Sequence, residues 1–189
     1  LRDEVRFLGD CLGRVLIAQE GRKFFDRVEW VRKTAIALRR EPHSVIEKKL
    51  LRKIRSLPLE TLTKFIRAFT VYFQLVNLAE EKHRIRRKRH YESLSSSRPQ
   101  PASVEEMALK LKESGWSRGK VEKILSEVSI ELVLTAHPTE AQRRSILERL
   151  YAINRFLIER EIRRMTPREF RENDGKILRE ITILWQTDE

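Results

Sequence analysis

Apolar residues recur at the spacing of one helical face along most of this chain, and that period leaves little of it for a sheet. Residues 1 to 20 place Val5, Leu8, Leu12, Val15 and Leu16 on one stripe, and residues 23 to 40 do the same with Phe24, Val28, Val31 and Ala35. Residues 45 to 56 predict a shorter helix closed by Pro58. A long helix follows from Leu59 to about His90, with Leu62, Phe65, Ile66, Phe69, Tyr72, Phe73 and Val76 expected on its buried side. Residues 95 to 101, Ser-Ser-Ser-Arg-Pro-Gln-Pro, have the composition of a linker. Ser103 with Glu106 reads as a capping box opening a helix that ends near Ser114 and Gly115, and a further short helix follows. A helix over 140 to 165 comes next. Thr166, Pro167 and Glu169 then supply an N-cap, a proline at the first helical position and a box carboxylate for the last helix.

Against this background one stretch stands apart. Residues 129 to 136 alternate as a strand does, with Ile130, Leu132, Leu134 and Ala136 on one face and Glu131, Val133, Thr135 and His137 on the other. An imidazole at the C-terminal edge of a strand stands where open and closed α/β sheets keep their chemistry. Pro138 stops the strand, and Thr139 with Gln142 three residues on is a second capping-box pattern. Arg143 and Arg144 then fall within the opening turn and a half of the helix. Cations there oppose the helix dipole and cost about 0.3 to 1 kcal/mol each unless an anion compensates. Glu140 offsets some of this, and the remainder points to an anion held by helical N–H groups and two guanidinium forks. The expected fold is therefore mainly α-helical with one short strand, divided into a helical region 1–94, a linker 95–103 and a region 104–189 that holds the strand.

Composition bounds the function. The 189 residues are 40 % hydrophobic and 36 % charged, as in a soluble globular domain, and no run approaches the 18 or so apolar residues of a membrane span. Leu1 is not an initiator Met and no signal-type apolar run follows it, while the last helix reaches Asp188 and Glu189 without a Gly, a Pro or a cationic last turn. Both ends are expected to be cut. The single cysteine, Cys11, lies on an amphipathic helix and reads as a small buried hydrophobe in a reducing cytosol.

The net charge of +12 and the run Lys82 to His90, with six Lys or Arg and two His, raise a nucleic-acid reading. At 100° per residue, however, these side chains circle the helix, Tyr91 is the one aromatic nearby, and cations suit a helix C-terminus. A solvated or internally paired helix end is the stronger expectation, ahead of a docking surface for acidic segments or substrate anions, with no nucleic acid and no membrane among the partners. A basic nucleic-acid module or a helical scaffold are the alternatives to an enzyme. His43 and His83 read as structural, Glu80 and Glu81 as a helix-surface pair, and neither metal-ligand spacing nor a Gly-rich phosphate loop occurs.

Residues 133 to 144, Val-Leu-Thr-Ala-His-Pro-Thr-Glu-Ala-Gln-Arg-Arg, resemble the histidine signature of the phosphoenolpyruvate carboxylases without a departure. Leu1 to Gly21 is similar to that family's N-terminal helix, and Asn77 to Lys88 to its long second helix. The resemblance implies the N-terminal part of a (β/α)8 barrel enzyme with extra helices, and since such a barrel needs roughly 250 residues and eight strands, most of the enzyme would lie elsewhere. It implies a cytoplasmic homotetramer that carboxylates phosphoenolpyruvate with bicarbonate to oxaloacetate and phosphate, replenishing four-carbon acids of the tricarboxylic acid cycle. His137 would be the general base, a task suited to an imidazole with its unperturbed pKa of about 6.5. The cofactor would be Mg2+, with its carboxylate ligands beyond Glu189 and none in this chain. Arg143 and Arg144 match paired arginines assigned in some members to an activating sugar phosphate, so their anion is either substrate or activator.

Overall fold

The helical period is realised almost throughout the computed structural model, which describes residues 1–93, 99–131 and 143–187. Among the described residues there are eight helices and no strand: α1 (Arg2–Glu20), α2 (Arg22–Arg40), α3 (Ser44–Arg55), α4 (Leu59–Ser93), α5 (Val104–Glu113), α6 (Arg118–Glu127), α7 (Arg144–Ile162) and α8 (Pro167–Gln186). Contacts divide the chain into one unit of residues 1–81 with 142–189 and another of residues 82–141. No helix among the described residues is long and apolar enough to cross a membrane.

In the first unit, α1 and α2 are joined by a single residue. Gly21 ends one helix, donating its N–H to the Ile17 carbonyl at 3.0 Å, and caps the next, accepting from the Phe25 N–H at 3.3 Å. Its φ of 86° and ψ of 162° lie where an L side chain is strained. A Cβ there would meet nothing within 4 Å, so the strain is purely one of backbone. Gly21→Ala is therefore expected to destabilise the unit by about 1–3 kcal/mol, read as a lower urea midpoint with an unchanged slope. Gly13 matters for a different reason: a Cβ there would lie 2.9 Å from Phe25 Cε2, so the side chain of α2 rests against the bare backbone of α1.

The core joins α1, α2, α4, α7 and α8. Leu8, Leu12, Val15 and Leu16 are buried as expected, with Phe24 and Val28 of α2, while Val31 is half-buried and Ala35 exposed. On α4 the buried row is Phe65, Ala68, Val71, Leu75, Leu78 and Ala79. Ile66 and Phe73, expected inside, are exposed. The apolar positions of this helix span more of its circumference than its neighbours in the unit cover, so periodicity alone marks two faces and cannot say which is buried. Phe24 meets Phe65 edge-on at 5.2 Å and leans on Trp185 at 6.5 Å. Lys64 pairs with Glu20 at 2.9 Å, and Gln186 donates to Gln19 at 2.9 Å, fixing α4 and α8 against α1.

α7 and α8 form a pair around Ile153, Leu157, Ile177 and Ile181. The helix expected over 140 to 165 is shorter within the described residues: Arg143 is extended (φ −59°, ψ 142°) and so is Arg163 (φ −103°, ψ 132°). The second stop follows from Pro167, which disfavours helical backbone just before it and leaves Thr166 as a cap. The cap at α8 is the one expected. Thr166 Oγ1 accepts from the Glu169 N–H at 3.3 Å, and Glu169 accepts from the Thr166 N–H at 2.8 Å. That backbone donor, with the Thr166 hydroxyl, holds the Glu169 carboxyl below its usual range. Asn173 is buried between the two helices with its polar atoms satisfied: it donates to the Phe156 carbonyl at 3.2 Å and to Glu159 at 3.4 Å, and accepts from Arg160.

In the second unit, α5 opens with Ser103 accepting from the Glu106 N–H at 3.1 Å, but the Glu106 carboxylate reaches back to the Ala102 N–H at 2.6 Å, one residue further than a capping box requires. Ala102 is held there at a positive φ of 63°. α5 ends in a Schellman turn: Gly115, φ 71°, donates to the Lys112 carbonyl and Trp116 to that of Leu111, each at 3.1 Å. Neither α5 nor α6 buries a residue of its own. The strand expected at 129–136 is not borne out. Val128 leaves α6 in an extended conformation, residues 129–131 are neither helix nor strand, Ile130 is exposed, and no partner strand exists among the described residues to make a ladder. Residues 132–136 lie outside the described residues.

Candidate functional site

The expected site falls on the approach to α7. His137, with Thr139, Glu140 and Gln142, lies outside the described residues; Arg143 and Arg144 lie within them. Arg143 is the N-cap residue of α7, and the capping pattern of Thr139 with Gln142 lies outside the described residues. Its carbonyl accepts from the Ile146 and Leu147 N–H groups at 3.0 and 3.2 Å, and buried Ile146 fixes this turn against the core.

Two guanidinium groups thus stand at the positive end of a helix dipole, in a first turn with no acidic residue. Arg144 is exposed and its Nε meets Glu148 Oε1 at 2.9 Å one turn on, which answers part of the charge. Exposed Arg143 sits one residue outside the helix. Arg149 turns away to Glu180 of α8 at 3.0 Å. This turn therefore combines the positive end of a helix dipole, an extended cap residue and the exposed Arg144 guanidinium.

The remaining candidates behave as structural groups. His43 occupies the N-cap position of α3 without a side-chain cap bond, and His83 is half-buried on α4. Cys11 is buried, and burial pushes its thiol up to about 11, so it is no nucleophile. Glu80 and Glu81 are exposed. In the basic run Lys82 is buried, Lys88 pairs with Glu92 at 3.8 Å and Arg87 lies 6.0 Å over the Tyr91 ring, which is the internally paired helix end expected in part. Among the described residues no three His, Cys, Asp or Glu side chains come together as a metal site would need. The Arg160–Asn173–Asp174 cluster was not anticipated. Its one sequence sign is an asparagine standing four and eight residues before Ile177 and Ile181, within an otherwise apolar row.

Comparison with known proteins agrees with the signature at residues 133–144. The family model for phosphoenolpyruvate carboxylase matches residues 1–189. The chain is 41 % identical over 188 residues to a phosphoenolpyruvate carboxylase of Burkholderia vietnamiensis, and 40 % over 188 residues to one of Paraburkholderia xenovorans. It is 39 % identical over 187 residues to one of Ralstonia nicotianae. In each case 99 % of this chain is covered but only 19 % of the relative, so the chain spans about a fifth of their length. With the match running from the first residue to the last, this chain belongs to the phosphoenolpyruvate carboxylase family.

Proposed function

We propose that the chain supplies the general base, and an anion site, to an enzyme that carboxylates phosphoenolpyruvate with bicarbonate, forming oxaloacetate and phosphate. The observation that carries this reading is the unbroken histidine signature at residues 133–144 inside a family match over the whole chain. In the reaction, a bicarbonate oxygen attacks phosphorus, the enol C–O–P link breaks at the P–O bond, and carboxyphosphate and an enolate result. His137 takes the carboxyl proton of carboxyphosphate, whose C–O bond to phosphate then breaks to release carbon dioxide. The enolate carbon adds to that carbon dioxide. A neutral imidazole is suited to the proton transfer because it titrates close to working pH.

Arg143 and Arg144 belong to the proposal as an anion site at the start of α7, for substrate or for an activating phosphate. Magnesium belongs to it as the cation that would steady enolate charge, and among the described residues there is no cluster of ligands for it. Residues 1–94 would then be the leading helices, 95–103 the joining segment and 104–189 the start of the barrel, in a cytoplasmic homotetramer.

Two assays test the reading. A chimera in which residues 1–189 replace the matching fifth of the Burkholderia vietnamiensis carboxylase is expected to form oxaloacetate in a bicarbonate-dependent manner; a folded chimera without that activity overturns it. The 189-residue chain alone is expected to form none with magnesium, phosphoenolpyruvate and bicarbonate, and measurable turnover would show that the catalytic set is complete without further polypeptide.

A further inference from the structure

Beside its buried face α4 carries a second apolar row. Leu59, Leu62, Ile66, Phe69, Phe73 and Val76 follow one another at alternating steps of three and four residues, the period of a seam between two helices. Leu59 is 78 %, Ile66 61 % and Phe73 58 % exposed. The row runs about 26 Å at the helical rise of about 1.5 Å per residue. Scattered apolar side chains on a surface are ordinary, whereas Leu59, Ile66 and Phe73 stand open in one register, flanked by half-buried Leu62 and Val76, with Phe69 leaning on the core from the same row.

Phe69 also joins a groove of about 560 Å³ between α1, α2 and α4, walled by Leu12, Gly13, Phe25 and Tyr72. Along the α1 edge of this groove Arg2, Arg6 and Arg14 lie in one row of four-residue steps with Asp10. Arg2 and Arg6 are like charges one turn apart, an arrangement that weakens a helix unless carboxylates answer it. None does: among the described residues these three arginines hold no ion pair, while the groove's Arg22 and Arg32 are taken by Asp26 and Glu29 at 3.2 and 2.7 Å.

We propose that this face docks an amphipathic helix with carboxylates along one edge, supplied by the part of a carboxylase polypeptide lying beyond the region matched here. The apolar row asks for a complementary seam and the arginine row for acid. A second copy of this chain would bring a net charge of +12 to a surface already basic. The curated relatives, of which this chain covers 19 %, have ample further length to supply the helix. The inference rests on membership of the family and not on the role of His137, so failure of either leaves the other standing.

The test is coexpression of the tagged chain with the Burkholderia vietnamiensis carboxylase polypeptide that lies outside the matched fifth. The two are expected to copurify, with affinity falling at least tenfold for Ile66→Asp/Phe73→Asp and, separately, for Arg2→Glu/Arg6→Glu. Circular dichroism and melting of each variant alone should match the wild type, since all four side chains are exposed and outside the core. Hydrogen exchange on the wild-type complex reads the same surface without substitution, with protection expected across residues 2–17 and 59–76. Absence of copurification, wild-type affinity in both double variants, or protection confined elsewhere overturns the proposal. Self-association of the isolated chain that Ile66→Asp/Phe73→Asp abolishes would overturn it in favour of a second copy.

Discussion

His137→Asn, introduced into a carboxylase polypeptide that carries this chain, is expected to lower oxaloacetate formation by about 10²- to 10⁴-fold, the usual contribution of a general base. Asparagine keeps the approximate size and one hydrogen-bonding edge of the imidazole but cannot accept a proton near neutral pH. The proposed base acts after the phosphoryl group has moved, so bicarbonate-dependent phosphate release should survive in part while carboxylation does not. Parallel assays of the two products separate the steps. Equal loss of both would place His137 at phosphoryl transfer instead, and oxaloacetate formation close to wild type would remove it from the chemistry.

Arg160→Ala is expected to destabilise the unit of residues 1–81 with 142–189 by about 2–4 kcal/mol, well above an ordinary surface substitution. The guanidinium binds Asn173 Oδ1 at 2.5 Å and pairs with Asp174, and it lies 4.4 Å over the Phe7 ring and 5.3 Å over that of Phe170. One side chain thereby joins α1, α7 and α8. Its removal leaves a buried Asn173 carbonyl without a donor, which costs more than the bond itself contributed. Asp174 is partly exposed, and water replaces much of what it loses. Against a total of about 5–15 kcal/mol for a typical domain, the urea midpoint should fall clearly. Arg160→Lys keeps the charge but not the planar fork and should fall less. A midpoint for Arg160→Ala equal to wild type would show that the cluster stabilises nothing.

The helices were legible because their information is local. Thr166-Pro167 with Glu169 and Ser114-Gly115 act through backbone geometry within a few residues, and each stops or starts a helix where expected, while the two periodic runs before and after Gly21 are the helices α1 and α2. What was not legible depends on neighbours. Ile66 and Phe73 have the same composition and period as the buried Phe65 and Leu75, and only the placement of α1 and α2 decides between the faces. The strand failed for a related reason: alternation marks a segment that can pair, while a ladder also needs a second strand, and the described residues contain none. The Arg160 cluster joins residues far apart in the chain, and the pairing of Arg144 with Glu148 one turn on was not read from the sequence either.

The burial of Cys11 gives the molecule a clock. It is the only thiol in the chain, it sits inside the core on α1, and its elevated pKa leaves almost no thiolate at neutral pH. A maleimide can therefore consume it only during those moments when α1 lifts from its neighbours. Where closing outruns alkylation, the ratio of the observed rate to that of an open thiol measures how often the helix is away, and hence the free energy holding it down. Loss of Arg160, whose charge reaches Cys11, would be timed by the same reaction.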